Sequence, residues 1–187
     1  MKKLFLLAFS TFLLSIATMA QDNLPAVDKS PLDMAYFPVN YPVLKIRGGS
    51  TEPLAARVIY SRPKKEGRTV FGGLVGYGKV WRLGANEATE IEFYKPVTIG
   101  GTKVAAGRYT LYALVSEKSW TFIVNKETDI WGAFKYDASK DVAKVEAAVE
   151  TTTDAVESLS MAFTKSGNDI NLVVAWENVK VKMPISL

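Results

Sequence analysis

"WRLGANEATEIEF", residues 81–93, begins as an irregular polar stretch and ends as a strand. Glu90 and Glu92 alternate with Ile91 and Phe93, the period-two pattern of a half-buried strand. Strand-like segments extend from it in both directions. Upstream lie "VLKIR" (43–47) and "ARVIYS" (56–61), with "GGSTEP" between them as a turn or loop. Downstream, Pro96 leads into "VTIGGTKVAAG" (97–107), where Gly100-Gly101 is a two-residue hairpin signal. "RYTLYALV" (108–115) and "WTFIVN" (120–125) flank "SEKS" as a second hairpin. "VAKVEAAVE" (142–150), "ESLSMAFTK" (157–165), "DINLVVAWE" (169–177) and "VKVKMPI" (179–185) follow, with an "SGND" turn between the second and third. The valines and alanines of "DVAKVEAAVETT" (141–152) also fit a helix, and no other stretch beyond the first twenty residues sustains a helical period. Short strands with turn-rich connections predict an all-β, antiparallel β-sandwich or jelly-roll-like single domain over 43–187.

Residues 1–20 read as a signal peptide rather than as part of that domain. Lys2 and Lys3 precede an apolar run from Leu4 to Ala17, and Thr18-Met19-Ala20 supplies the small residues of a cleavage site. The expectation is an exported, periplasmic or secreted protein with Gln21 as its mature N-terminus. The run is short for a transmembrane span, so none is expected after cleavage. Residues 21–42 form a Pro-rich leader. Pro25, Pro31, Pro38 and Pro42 oppose a regular helix or central strand, while the aromatic "DMAYFPVNYP" suits a segment draped over the domain.

Composition narrows the chemistry. The 187 residues contain no cysteine, so an exported domain must hold together by its core alone. They contain no histidine either. That removes Ser-His-Asp and Cys-His catalysis, the usual zinc sites and histidine pH switching. Formal charge is +4, of which two lysines belong to the signal peptide. Basic and aromatic residues are spread along the chain, so no nucleic-acid partner is expected.

The long stretches "YSRPKKEGRTVFGGLVGYGKVWRLGANEATEIEF" (60–93), "VTIGGTKVAAGRYTLYAL" (97–114), "WTFIVNK" (120–126) and "WGAFKYDASKDV" (131–142) resemble the bacterial family known as domain of unknown function 2911. The resemblance runs from about Tyr36 to the C-terminus. It implies an exported β-rich bacterial domain and carries no reaction, ligand or functional residue with it.

Four constellations remain to be weighed residue by residue. Trp81, Arg82, Asn86 and Glu87 crowd around Gly84 and Ala85. Arg82 brings a planar fork suited to a carboxylate or phosphate, Asn86 a donor and an acceptor, and Trp81 a face for a sugar. The opposing reading is a clasp: Arg82 paired with Glu87, Asn86 in a turn, Trp81 in the core. Arg62, held extended by Pro63, would converge with Arg82 on one anion if strands 56–61 and 89–94 are neighbours. Its own structural reading is an arginine capping loop carbonyls. The Gly-rich "FGGLVGYGKV" (71–80) lacks phosphate-loop spacing, so its glycines read as tight turns, or as a flap over the site. "DIWGAFKYDASKD" (129–141) offers Trp131 and Tyr136 as a second wall of the same cleft. Its carboxylates lack calcium-loop spacing, so no metal or cofactor is expected.

The function expected from these residues is a binding or interaction module for a polar ligand, a glycan or an anion, in the cell envelope. Its candidate ligand-binding residues are Arg62, Trp81, Arg82, Asn86, Glu87, Trp131 and Tyr136. The alternatives are a carboxylate-only glycoside hydrolase using Glu87 with Asp129 or Asp137, and a structural envelope protein that binds another protein through a sheet edge.

Overall fold

The computed structural model describes residues 24–48 and 52–187. The expected signal peptide and its cleavage site fall outside them. The chain is mostly β and antiparallel, as expected. In order it forms β1 (Leu32–Phe37), α1 (Tyr41–Ile46), β2 (Ala56–Ser61), β3 (Val80–Trp81), β4 (Glu90–Phe93), β5 (Val97–Ile99), β6 (Thr102–Val104), β7 (Gly107–Val115), β8 (Ser119–Asn125), β9 (Asp141–Ser166) and β10 (Asp169–Ile185).

One sheet runs β1-β2-β4-β7-β8-β9-β10, with β3 beside β7, and β5 pairs with β6. That sheet curls until its β1–β2 side reaches β9. The Met161 N–H of β9 donates to the Tyr60 hydroxyl of β2 at 2.9 Å. Just past β2, Lys64 bridges Ser158 of β9. The β5–β6 hairpin joins the end of β10 through reciprocal Thr98–Ser186 backbone bonds of 2.8 and 3.0 Å. Facing layers therefore come from one curled sheet. Val58, Ile91, Leu111 and Phe122 from one side meet Leu159, Leu172 and Val174 from the other in a single core, all with no exposed surface.

The turn signals act where the sequence puts them. Gly100 and Gly101 take φ of 55° and 79°, the left-handed pair that a two-residue hairpin needs. A Cβ on Gly100 would lie 2.0 Å from the Lys144 carbonyl oxygen, so space and backbone conformation both demand glycine there. Gly73 has a similar duty in the Gly-rich loop, where a Cβ would sit 2.4 Å from the Thr69 carbonyl oxygen. The tight turn it permits buries Val70, Phe71 and Val75.

Two local expectations are corrected and one ambiguity is resolved. "VLKIR" is not a strand: its first four residues lie in the short helix α1, where Pro42 occupies the first turn and its missing N–H leaves nothing unmade. The ambiguous 141–152 segment is strand, paired with β8 from Asp141 to Ala148. The last four strand-like segments are not separate elements but two long ones, β9 and β10, joined at "SGND". Register shifts around Glu177, whose φ is 54°, break the pairing without ending the strand. Bulges bend a strand where turns would stop it. The leader supplies β1, which pairs with β2 alone, and Pro31 and Pro38 lie just outside it. Edge position is where flanking prolines cost least.

Candidate functional site

Residues 81–89 form a loop held tightly to itself. The Trp81 indole N–H donates to the Gly84 carbonyl at 3.1 Å. The Thr89 hydroxyl donates to the Leu83 carbonyl at 2.8 Å, and the Thr89 N–H to the Arg82 carbonyl at 3.0 Å. Leu83 is fully buried at a φ of 55°, and Asn86 sits at 57°. Left-handed backbone at a branched apolar residue persists only when its surroundings over-determine it, and such strain gathers at functional sites. On the far side, Asn86 and Ala88 exchange backbone hydrogen bonds with Gly132 and Ile130.

Trp81 belongs to the core. Its ring stacks on Trp176 at 6.1 Å and 18°, and meets Trp120 and Phe71 edge-on. Together with Trp176 it forms part of the wall of a cavity of about 440 Å³. Four cationic side chains line that cavity: Lys29, Lys64, Arg68 and Arg82. Arg68 is occupied by the Lys64 and Lys65 carbonyls and by Glu66, 3.4 Å away. Lys29, Lys64 and Arg82 have no acidic partner among the described residues.

Arg82 is the unusual member. Its Nε is buried and has no hydrogen-bond partner among the described residues. Loss of hydration pulls its pKa below the ordinary arginine value, and no neighbouring charge opposes the shift. Partial loss of hydration at a guanidinium with no acidic partner among the described residues raises the free energy of the empty site, and an anion in the cavity lowers it.

Glu87 is exposed and bonds neither Arg82 nor any other described side chain. The clasp between the two is therefore absent. The loop points Arg82 into the basic cavity and Glu87 into the next one, of about 330 Å³, which Asn86, Asp28 and Trp131 also line. Trp131 is 62% exposed there. A third cavity, of about 170 Å³, shares Glu87 with the second and reaches Asp129 and Glu90.

Arg62 and Arg82 do not converge, although β2 and β4 are neighbours as the idea required. Arg62 spends its fork on Asp33 at 3.0 Å, the Leu159 carbonyl at 3.1 Å and the Ser160 hydroxyl at 2.9 Å. It pins β2 to β1 and β9, the capping role open to it from the start. Tyr136 is also structural. Its hydroxyl donates to Asp141 at 2.5 Å, its ring meets Tyr112 edge-on at 5.3 Å, and it packs in a small cluster separate from the main core. Asp141 is further held by Asn125 at 2.8 Å and Lys144 at 2.9 Å, which fixes the 126–141 loop.

Of the carboxylates offered for catalysis, Asp129 is bound by Arg108 at 2.8 Å and by the Thr128 hydroxyl at 3.0 Å. Asp137 caps the short 3-10 turn at Ala138–Lys140, and its hydrogen bonds with Ser139 hold it below the usual carboxylate range. No cluster of three metal-ligating side chains occurs among the described residues. Sequence reading missed Lys29, Lys64, Arg68 and Trp176. The basic run "RPKKEGR" (62–68) beside the Gly-rich loop was the signal for two of them.

Four tyrosines give the fold a pH dependence. Burial raises Tyr60, Tyr112 and Tyr136 above the ordinary value of 10.0, with the Asp141 hydrogen bond adding to Tyr136. Burial and the Glu92 hydrogen bond push Tyr94 to about 12. Above pH 10 the unfolded chain binds fewer protons than the folded one, so stability falls as pH rises. The contribution is complete below pH 10 and is lost through the folded values. Urea midpoints from about pH 9 to 12 should therefore decline, and less steeply in Tyr136→Phe. A midpoint that stays level past about pH 11 would contradict this assignment.

No curated protein and no solved structure matches the chain. A family model does, described as "Protein of unknown function (DUF2911)", and it spans residues 48–185. It begins at Gly48, after the leader and α1 rather than near Tyr36, and runs to the last residue of β10. With most of its length matched, from the loop before β2 to the end of the final strand, the chain belongs to the DUF2911 family.

Proposed function

We propose that this protein is a binding module for a small anionic ligand, a phosphate or a carboxylate-bearing sugar, which it holds in the basic cavity beside β3. Arg82 carries the reading: its guanidinium lines the cavity with a buried, unpartnered Nε. Lys29 and Lys64 add positive charge without an acidic partner among the described residues, and Arg68 adds a fork already fixed in direction. A low-dielectric wall of Trp81 and Trp176 strengthens the attraction of these groups for an anion. The segment preceding the described residues fits export to the envelope, where such ligands are met. No observation favours the hydrolase reading, since Asp129 and Asp137 are committed to other partners.

Trp81 and Trp176 line the cavity, so their fluorescence reports its occupancy. Titration with inorganic phosphate and with galacturonate should give a saturable change that weakens as salt is raised. Glucose, the neutral control, should give none. No response to either anion, or an equal response to glucose, would overturn the reading.

A further inference from the structure

The loop 82–88 borders a row of three cavities, a groove in sections, each sharing wall residues with the next. The basic cavity and the second share Ser30, and the second and third share Leu32, Ser61 and Glu87. Charge changes sign along it. Arg82, Lys64 and Lys29 stand at one end. Past Ser30 come Asp28 and Glu87, with the exposed Trp131 beside them. Glu90 and Asp129, further on, are already joined by Arg108 at 3.3 and 2.8 Å. Asp28 accepts from the Ser30 N–H at 2.7 Å, which leaves Glu87 as the carboxylate of that end with no side-chain hydrogen bond or ion pair among the described residues.

Ser61 is a second, independent sign of a ligand. It is 1% exposed, and its hydroxyl has no hydrogen-bond partner among the described residues. Alternation along β2 turns Tyr60 into the core and Ser61 to the opposite face, the one that Ile59 presents to the groove. Buried hydroxyls without partners are rare in folded proteins and call for an explanation. The hydroxyl adds an unsatisfied polar group to the wall between the charged ends. Asn86, whose amide makes no side-chain hydrogen bond with a described residue, lines the same middle section.

We infer that the groove takes a short, unblocked peptide, its carboxylate at Arg82 and its ammonium at Glu87 beside Trp131. The inference rests on the reading of the Arg82 end as an anion site and adds the opposite end. A molecule with an anion at one end, a cation at the other and a neutral hydrogen-bonding middle matches the order of groups along the groove. Carboxylate–ammonium pairing and the face of an exposed tryptophan both favour a ligand cation there.

The test is calorimetric titration of the full chain with an unblocked oligoalanine series, followed by the N-acetylated and C-amidated forms of the best length. Each cap should weaken binding by about tenfold or more, the loss expected when one charge-assisted contact is removed. In Glu87→Gln the N-acetyl penalty should vanish while the C-amide penalty persists, and Arg82→Met should show the reverse. Equal binding of free and N-acetylated peptide overturns the inference and leaves the anion site standing. Equal binding of free and amidated peptide removes the anion site from under it. Absence of binding by every peptide also overturns it, and the response to inorganic phosphate then decides the anion site separately.

Discussion

Replacing Trp81 by alanine is expected to cost about 3–5 kcal/mol of folding stability, the usual loss for a truncated core aromatic. The residue is 8% exposed and joins Phe71, Trp120 and Trp176 in one aromatic cluster. Truncation leaves a void between two layers that cannot close on it, because Trp120 and Trp176 are fixed by different strands of the curled sheet. It also removes the indole N–H that holds the Gly84 carbonyl at 3.1 Å, loosening the loop that carries Arg82 and Glu87. Trp81→Phe keeps much of the packing and loses that hydrogen bond, so it should cost less. Urea unfolding of the two variants separates the terms. A loss below about 1 kcal/mol for the alanine variant would show that the cluster contributes little.

Arg82→Met is expected to act in the opposite sense. Affinity for an anionic ligand should fall about tenfold to a hundredfold, since a charge-assisted hydrogen bond is worth roughly 1.5–3 kcal/mol. Folding stability should hold or rise slightly, because the substitution removes a buried nitrogen that nothing satisfies. Glu87→Gln should move stability by under about 0.5 kcal/mol, as at any exposed, unpaired surface position. The clasp reading of the sequence expects the reverse, a Glu87 whose substitution costs the fold heavily. Thermal unfolding beside binding measurements checks both. Equal, large destabilisation by the two substitutions would mean that Arg82 and Glu87 are paired after all.

What the sequence alone determined about this protein is what short-range chemistry decides. Alternation in "EIEF" (90–93), the left-handed glycine pair at 100–101 and the "SEKS" and "SGND" turns are local instructions, and each produced its strand or hairpin. Together they made an antiparallel all-β fold legible before any tertiary contact was known. Where local signals competed, neighbours in space chose. Pro42 and α1 took "VLKI" from the strand pattern, and pairing with β8 took 141–148 from the helical one. The curl of the sheet was not legible, because it depends on bulges at Glu177 and on contacts such as Tyr60 with Met161, 101 positions apart. The opening stretch shows the same division. Its residue types announced a polar loop at the mouth of a strand, but whether Arg82 met Glu87 depended on which way each side chain left the backbone. Only the tertiary structure sent one to a basic cavity and the other to an acidic one. The lysines and the tryptophan that complete the basic cavity come from distant parts of the chain, and no spacing rule joins residues that only folding brings together.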